Sequence, residues 1–234
     1  MSIDLDAESR RIIAEYERRE REMPADFYDL HHLRNLFMHQ EHERLLAQCL
    51  HRTGQIPSPE RRILEVGCGH GNWLSVFESL GFPQQNITGI ELGGPRAEFA
   101  SKRLPAADVR AGDATHLSWP DHAFDVVFQR MMFTSILDPD IRRQAAAEMM
   151  RVVRPDGAII WADFFINPSN PSVHPLSRAD VRELFPGWRA RLYRTTLAPP
   201  LARRLVRVSW SLARAIEKLK IFNAYFFGFL KRES

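Results

Sequence analysis

The sequence is poor in cysteine, with two in 234 residues. Cys49 and Cys68 lie in different contexts, and neither belongs to a CxxC pair or a His-Cys cluster, so the sequence suggests no disulfide framework and no zinc site. His39 and His42 are spaced close to one helical turn, but a third ligand is lacking. We therefore expect two reduced thiols and no bound metal.

Long apolar runs are lacking as well. No segment approaches the roughly 20 apolar residues that a membrane-spanning helix needs, and the first residues, MSIDLDAESRR, have neither the apolar core nor the basic leader of a secretion signal. The formal charge of +3 is too small an excess to argue for a nucleic-acid partner. The sequence predicts a cytoplasmic protein whose 44% hydrophobic content can fill the core of one large domain.

Strands and helices alternate from Arg62 onward, which predicts a parallel sheet covered by helices on both faces. Upstream, residues 7–22 read as a solvated helix with i,i+4 ion pairs, and residues 36–52 as a helix that packs on the main domain and stops at Gly54. We divide the chain into an N-terminal helical extension or cover, residues 1–60, and a main domain, residues 61–234. The seven predicted strands lie near residues 63–67, 87–91, 107–110, 124–129, 158–165, 188–196 and 224–231.

The stretch ILEVGCGHGNWL, residues 63–74, places three glycines between a strand and a helix. Glycines let the backbone turn sharply and let a ligand approach main-chain N–H groups without an intervening Cβ. Glu91 ends the next strand, where a carboxylate can bind ribose hydroxyls. NAD is the rival ligand, but Asn72 stands where its motif needs a glycine, and Glu65 is unsuited to a pyrophosphate anion.

These residues resemble the first motif of the class I S-adenosylmethionine (AdoMet) methyltransferases, an acidic residue, any residue and GxGxG, matched by residues 65–71. The resemblance extends to Glu91, to Asp113, to FDVVFQ at 124–129 and to RPDGAIIWADF at 154–164. It implies an α/β, Rossmann-like sheet of seven strands flanked by helices, with the last strand antiparallel. It also implies S-adenosyl-L-methionine as cofactor, across the carboxyl ends of the first strands.

The same resemblance implies roles for individual side chains. Glu65 faces the methionine amine, Asp113 accepts a hydrogen bond from the adenine amino group, and Gln129 touches the methionine moiety. The predicted cofactor-binding residues are Glu65, Gly67, Cys68, Gly69, Gly71, Glu91, Leu92, Asp113, Ala114 and Gln129.

The sequence does not single out a catalytic base. Asp163 ends the fifth strand and is a candidate, although it serves equally well as a brace for the next loop. His174, in the loop that follows 167–171, and His32 are further candidates, but a lone loop histidine is more often solvated. Tyr28, Arg130 and Asp163 are the predicted substrate contacts, with Tyr28 alternatively pinning the N-terminal segment to the core.

Residues 198–222 combine helical apolar spacing with a strong local excess of bases, which predicts a basic amphipathic helix over about 201–220, emerging on the substrate side of the sheet. Three interpretations stay open: the helix attracts an anionic acceptor, it rests on an anionic bilayer surface, or it is an ordinary packed helix.

The ending YFFGFLKRE and the long helix before the last strand resemble methyltransferases of bacterial surface-polysaccharide synthesis. That resemblance implies O-methylation of a sugar hydroxyl on a small-molecule or glycan-like acceptor. Alternatives are another small molecule, RNA, or a non-catalytic AdoMet-binding protein. Gln129-Arg130-Met131-Met132-Phe133 lacks the (N/D)PP(Y/F) signature, which disfavours methylation of nucleic-acid amino groups.

Overall fold

A single mixed sheet organises the protein, as seen in a computed structural model that describes residues 7–24, 26–167, 170 and 172–233. Its spatial order is β3-β2-β1-β4-β5-β7-β6, and β7 runs antiparallel to both neighbours. The prediction of a Rossmann-like sheet with an antiparallel last strand is confirmed. Within the described residues the strands are β1 (Ile63–Val66), β2 (Ile87–Glu91), β3 (Asp108–Ala111), β4 (Phe124–Arg130), β5 (Val153–Phe164), β6 (Trp188–Leu197) and β7 (Asn223–Arg232).

Helix ends follow local capping chemistry. Asp138 caps the helix that Pro139 begins, with its carboxylate accepting from Asp140 N–H, and Ser177 and Asp180 form a capping box. Gly54 ends the second helix in a left-handed conformation, φ +74°, as expected. The helices are α1 (Ala7–Glu22), α2 (Leu33–Thr53), α3 (Asn72–Ser79), α4 (Gly94–Arg103), α5 (Pro139–Val152), α6 (Arg178–Leu184), α7 (Pro199–Val208) and α8 (Trp210–Lys218).

The sheet is buried on both faces, and alternate residues of each central strand enter different cores. On β1, Leu64 and Val66 pack with Val127 and residues of α5, whereas Ile63 packs with Phe77 and residues of α2. This explains why the central strands are near-continuous apolar runs. Because α2 shares a core with β1, it lies on the main domain as predicted; a domain boundary at residue 60 stays a prediction. Among the described residues, no helix combines the length and the apolar character needed to cross a bilayer.

The functional side chains meet at one edge of the sheet. Strands β1, β2, β4 and β5 are parallel, so their carboxyl ends lie together. Strand β6 has the same direction, because β7 is antiparallel to both β5 and β6. The glycine turn, the end of β4 and the start of α7 therefore open on the same side, which we call the carboxyl edge.

Two expectations about helices were wrong. The predicted helix over 201–220 is split: Ser209 is extended, with φ −161° and ψ 122°, and its hydroxyl caps α8 by accepting from Leu212 N–H at 3.2 Å. The helix over residues 7–22 forms, but one face is half-buried instead of solvated, with Ser9 buried. Its contacts with the carboxyl edge are described below.

Candidate functional site

The loop between β1 and α3 requires its glycines. Gly67, Gly69 and Gly71 have φ values of +77°, +56° and +74°, in the region that side chains disfavour. Gly67 N–H and Cys68 N–H both donate to the carbonyl of Ile90, at 2.8 and 3.0 Å, which fastens the loop to β2. The Cys68 thiol is buried beneath the loop, and burial, with Glu65 and Glu91 nearby, raises its pKa, so it stays neutral.

Gly71→Ala is expected to destabilise the protein by about 2 kcal/mol, because it combines a left-handed backbone with a steric conflict. A Cβ at Gly71 would lie 2.9 Å from the Ala100 Cβ and 3.1 Å from the Ala100 Cα. Gly94→Ala is the matched control, since a Cβ there meets nothing within 4 Å. Urea unfolding of both variants measures the difference, and equal midpoints would contradict the packing argument.

Glu91 anchors the glycine loop from the end of β2. Its Oε2 accepts a hydrogen bond from Gly69 N–H at 2.7 Å, and its Oε1 lies 3.3 Å from Arg96 Nη1. The side chain is buried, so both contacts lie in surroundings that strengthen them. The ribose role of Glu91 stays a prediction, and the sequence did not reveal its role in ordering the loop.

Glu65 and Gln129 hold unpartnered polar atoms at the centre of the carboxyl edge. Glu65 Oε2 and Gln129 Nε2 are both buried without a hydrogen-bond partner. Gln129 is opposite Val66 in the pairing of β1 with β4, so the two side chains come from adjacent strands. Burial raises the pKa of Glu65 well above its usual value; the nearby Arg130 lowers it and Glu91 raises it.

An unpaired acceptor at the end of β1 and an unpaired donor at the end of the adjacent β4 fit an amino-acid ligand, because buried polar groups in native proteins almost always have partners. The Glu65 carboxylate can accept from an ammonium group, and the Gln129 amide can donate to a carboxylate. The residues present therefore fit the methionine end of AdoMet.

The predicted adenine site lies next to Glu91. Gly112 N–H donates to the Glu91 carbonyl at 2.9 Å, which ties the start of the loop after β3 to the end of β2. Asp113 Oδ1 accepts from Thr115 N–H at 2.8 Å, so this carboxylate also shapes its own turn. Asp113, Ala114 and Leu92 are each half-buried, which leaves them accessible to a ligand.

Asp163 is a brace for the segment after β4. It is fully buried, and Oδ1 accepts from Thr134 Oγ1 at 2.6 Å and from Phe164 N–H at 2.9 Å, while Oδ2 accepts from Thr134 N–H at 3.2 Å. These bonds hold residues 133–135, a short 3₁₀ turn, against the end of β5. Of the two roles left open by the sequence, the contacts favour the structural one.

Asp163→Asn is expected to flatten the pH dependence of stability. Burial raises the pKa of Asp163 to about 6, although the hydrogen bonds from Thr134 and Phe164 act to lower it. Since the folded pKa exceeds the unfolded value, the native state holds the proton more tightly. The stabilisation is complete below the unfolded pKa of about 4 and is lost as pH rises through about 6.

Chemical unfolding at several pH values between 4 and 7 tests this expectation. Asp156→Asn is the control, because Asp156 is exposed. A slope in Asp163→Asn identical to that of the unmodified protein would show that Asp163 titrates normally.

Arg130 is oriented by residues that the sequence did not reveal. Its Nε donates to His42 Nδ1 at 3.2 Å, and His42 Nε2 lies 2.9 Å from Thr196 Oγ1. Burial lowers the pKa of His42 well below its usual value, assisted by Arg130 and His39. The imidazole is therefore neutral, accepting from Arg130 and donating to Thr196. No described carboxylate lies within ion-pairing distance of Arg130, which leaves its charge available to a ligand.

Tyr225 belongs to the same site and was also missed. Its ring stacks on Phe164 at 4.1 Å and lies almost wholly buried beside His42. Burial raises the pKa of Tyr225, with Arg130 lowering it and Asp163 and Tyr28 raising it. Tyr225 lies within the apolar run of β7, so the sequence pattern suggested an ordinary core residue.

Other predicted residues lie at the periphery. Tyr28 is 62% exposed and its hydroxyl donates to Met23 Sδ at 3.4 Å. His32 Nε2 lies 3.1 Å from Asp26 Oδ2, and the exposed His174 is tied by its backbone N–H to the Thr134 carbonyl at 2.8 Å. Within the described residues, no hydrogen bond joins either histidine to Glu65 or Gln129. Of the predicted loop 167–171, residues 168, 169 and 171 lie outside the described residues.

Within the part of the chain that the structure describes, one group at the surface could hold a metal ion. Among the described residues, His39 and His42 belong to no group of three possible ligands, and both ring nitrogens of the buried His42 already have partners. Asp26, His31 and His32 instead place three possible ligand atoms within 4.8 Å of one another, and His31 Nε2 lies 3.3 Å from Asp26 Oδ2. The group is separate from the contacts of the carboxyl edge.

Helix α1 bridges the two sides of the carboxyl edge. On one side Arg11 donates to the Ser135 carbonyl at 2.5 Å, and Tyr16 Oη lies 3.2 Å from Ser135 Oγ. On the other, the Arg96 guanidinium lies over the Tyr16 ring at 4.3 Å, and Glu20 Oε1 lies 3.7 Å from Arg96 Nε. These contacts put α1 over the glycine loop and the segment after β4.

The comparisons with known proteins agree with this geometry. Residues 64–161 match the family described as "Methyltransferase domain". A phthiotriol/phenolphthiotriol dimycocerosates methyltransferase of Mycobacterium tuberculosis is 35% identical over 133 residues, 56% of this chain and 47% of that protein. Nocamycin O-methyltransferase of Saccharothrix syringae is 35% identical over 108 residues, 44% of this chain and 38% of that protein. The chain thus spans about half the length of these relatives, or less.

A solved structure extends the likeness to almost the whole chain. The TehB-like SAM-dependent methyltransferase from Corynebacterium glutamicum superposes with a TM-score of 0.56, covering 97% of this chain and 99% of that one. At 16% identity this likeness shows the fold. Residues 64–161 accordingly match a methyltransferase domain within a fold that SAM-dependent methyltransferases share, and this match indicates S-adenosylmethionine as the cofactor.

Proposed function

We propose that the protein transfers a methyl group from AdoMet to a hydroxyl oxygen of a small-molecule or glycan-like acceptor, specifically a sugar hydroxyl. The observation that carries the methyl-transfer proposal is the pair of unpartnered atoms, Glu65 Oε2 and Gln129 Nε2, beside the glycine loop. A protein that used this edge only for packing would leave two buried polar groups unsatisfied at a cost of about 1–3 kcal/mol each.

In this proposal the cofactor is held along its whole length. Glu65 accepts from the methionine ammonium group, and Gln129 donates to the methionine carboxylate. Glu91 accepts from the ribose hydroxyls while keeping Gly69 in place, and Asp113 accepts from the adenine amino group. Cys68, Leu92 and Ala114 supply backbone and apolar contacts around these polar groups.

When bound, AdoMet would supply a sulfonium-activated methyl group: the C–O bond to the acceptor would form as the C–S bond breaks, leaving S-adenosylhomocysteine, and the hydroxyl proton would pass to water. The protein's contribution is positioning and exclusion of water. Residues 1–60 act as the cover, through the contacts of α1 with Ser135 and Arg96. We assign no catalytic base, because the Asp163 oxygens already accept from Thr134 and Phe164.

The acceptor lies beside Arg130 and Tyr225 in this proposal. Arg130 has a fixed orientation and no carboxylate partner among the described residues, which suits a phosphate or a polar oxygen of the acceptor. Transfer to oxygen is supported by the name of the relative Nocamycin O-methyltransferase, and a hydroxyl-bearing acceptor by that of the phthiotriol methyltransferase. Placement in surface-polysaccharide synthesis, at the cytoplasmic side, rests on the resemblance of the C-terminal segment.

Formation of S-adenosylhomocysteine with a panel of acceptors tests the proposal. Nucleotide sugars, glycolipids, small alcohols and RNA are each incubated with the protein and AdoMet, and methyl incorporation is located by mass spectrometry. We expect a methyl ether on a hydroxyl acceptor. Incorporation into RNA would overturn the acceptor class, and AdoMet binding without turnover on any acceptor would favour a non-catalytic AdoMet-binding protein.

A further inference from the structure

Helices α7 and α8 form a hairpin at the carboxyl edge. The hairpin begins after β6 and returns to β7, and its base is closed by the hydrogen bond from Ala198 N–H to the Phe222 carbonyl at 2.9 Å. Because Ser209 breaks the helix, the two halves fold back on each other. The hairpin therefore lies at the carboxyl edge on the side of β6 and β7.

The inner face of the hairpin is well anchored. Ala202, Val206 and Ala213 are buried in one apolar cluster with Phe37 of α2. Arg214 pairs with Glu217 at 2.7 Å and with Glu41 of α2 at 3.1 Å. Glu217 is buried, and it is the hairpin's one acidic residue, so the negative charge is neutralised on the inside.

The outer face of the hairpin combines exposed apolar side chains with exposed basic ones. Five aliphatic or aromatic side chains are exposed there by 45–78% of their surface: Val208, Leu212, Leu219, Ile221 and Phe222. Five cationic side chains of the hairpin and its final turn are also exposed: Arg203, Arg204, Arg207, Lys218 and Lys220. The described residues 199–222 expose no acidic side chain. We call these ten residues the outer hairpin face.

The basic surface continues into a neighbouring groove. Between the start of α2 and α7 this groove is lined by His31, His32, Arg34, Arg203 and Arg207, with Leu33 and Val206. Leu33 is 52% exposed, so the groove repeats the mixture of apolar and cationic groups. The surface thus runs from the tip of the hairpin to the segment that precedes α2.

We propose that the outer hairpin face docks on an anionic bilayer surface. Exposed apolar side chains interleaved with bases suit the boundary between headgroups and acyl chains, where the apolar groups enter and the cations meet lipid phosphates. A polyanion such as RNA would match the charge but leave the apolar groups in water. Docking deepens the proposed function, on which it rests for its purpose: it brings the carboxyl edge to an acceptor that is linked to lipid.

Co-sedimentation with vesicles tests the docking. Vesicles of phosphatidylcholine with phosphatidylglycerol are compared with phosphatidylcholine alone, using the full chain. We expect binding to the anionic vesicles that weakens steeply as salt is added, since surface charges are screened. Ile221→Ser and the double variant Lys218→Glu/Lys220→Glu should each reduce vesicle binding about tenfold or more.

Matched controls distinguish vesicle binding through the outer hairpin face from nonspecific binding. Ile56→Ser removes an isoleucine that is 48% exposed elsewhere, and Arg189→Glu/Arg191→Glu reverses two exposed charges on β6. Both controls should bind vesicles like the unmodified protein. Equal losses in the controls, no binding to anionic vesicles, or binding of RNA through the same face in preference to vesicles would each overturn the docking.

The readouts keep docking apart from the proposed function. AdoMet calorimetry on the same variants should give unchanged affinity, because none of the substituted residues touches the glycine loop. If the unmodified protein binds AdoMet and turns it over but does not bind vesicles, docking alone is overturned. Vesicle binding by a protein that neither binds AdoMet nor turns it over overturns the proposed function alone.

Discussion

Glu91→Ala is expected to weaken AdoMet binding about 100-fold, or nearly 3 kcal/mol. The ribose loses a charged acceptor, and hydrogen bonds to charged groups contribute about 1.5–3 kcal/mol each. The glycine loop also loses its anchor, since Glu91 accepts from Gly69 N–H and pairs with Arg96. Both effects act on the same ligand, so the loss should exceed that of a simple contact residue.

Isothermal titration calorimetry measures the effect, with Glu98→Ala as the control. Glu98 is an exposed glutamate of α4, so its removal deletes the same side chain near the site without touching the loop. A thermal unfolding curve of each apo variant shows whether the fold survives. Unchanged AdoMet affinity in a folded Glu91→Ala variant would contradict the assignment of the ribose site.

The glycine loop and the positions of its neighbouring carboxylates could be predicted because their determinants are local. Gly67, Gly69 and Gly71 are needed for backbone angles that the sequence signals directly, and Glu65 and Glu91 occupy strand ends that topology brings together. In a parallel sheet, the end of each strand fixes where its last side chain lies. Local pattern and global fold agree at these positions, so the motif was sufficient to locate them.

The surroundings of Arg130 could not be predicted because they depend on contacts between distant segments. His42 meets Thr196 and Arg130 across the sheet, and nothing in the spacing of α2 reveals those partners. Tyr225 lies in a strand whose apolar neighbours are all buried, so burial alone concealed it.

The two errors about helices have different causes, one long-range and one local. The charge pattern of α1 is typical of a solvated helix, but Arg11 and Tyr16 contact Ser135, which lies more than 100 residues later in the sequence. In the basic segment, the apolar spacing continues through Ser209, although the Ser209 hydroxyl favours a cap. The apolar periodicity predicted the buried face of α7 and α8 but not the break between them at Ser209.

Glu65→Gln is expected to have opposite effects on stability and on cofactor binding. Burial raises the pKa of Glu65, with Arg130 lowering it and Glu91 raising it. The folded pKa is therefore above the unfolded one, and the stability that Glu65 contributes at low pH is lost as pH rises through the folded pKa. Glutamine carries no such penalty, so the apo variant should unfold at a higher temperature than the unmodified protein above that pH.

AdoMet binding should respond in the other direction. An ammonium group binds the ionised Glu65 carboxylate, so the affinity of the unmodified protein should increase with pH through the folded pKa of Glu65, and a proton should be released on binding. Glu65→Gln should bind about 30-fold to 100-fold more weakly at alkaline pH, as the loss of a charged partner costs about 2–3 kcal/mol, and its affinity should vary little with pH.

Calorimetry in two buffers with different ionisation enthalpies detects the released proton directly. The control is Glu60→Gln, the same substitution at an exposed position before β1. If Glu65→Gln kept the affinity and the proton release of the unmodified protein, the ammonium group would lie elsewhere. A gain in apo stability together with a loss of affinity would instead show that the buried Glu65 contributes to ligand binding and lowers the stability of the apo protein.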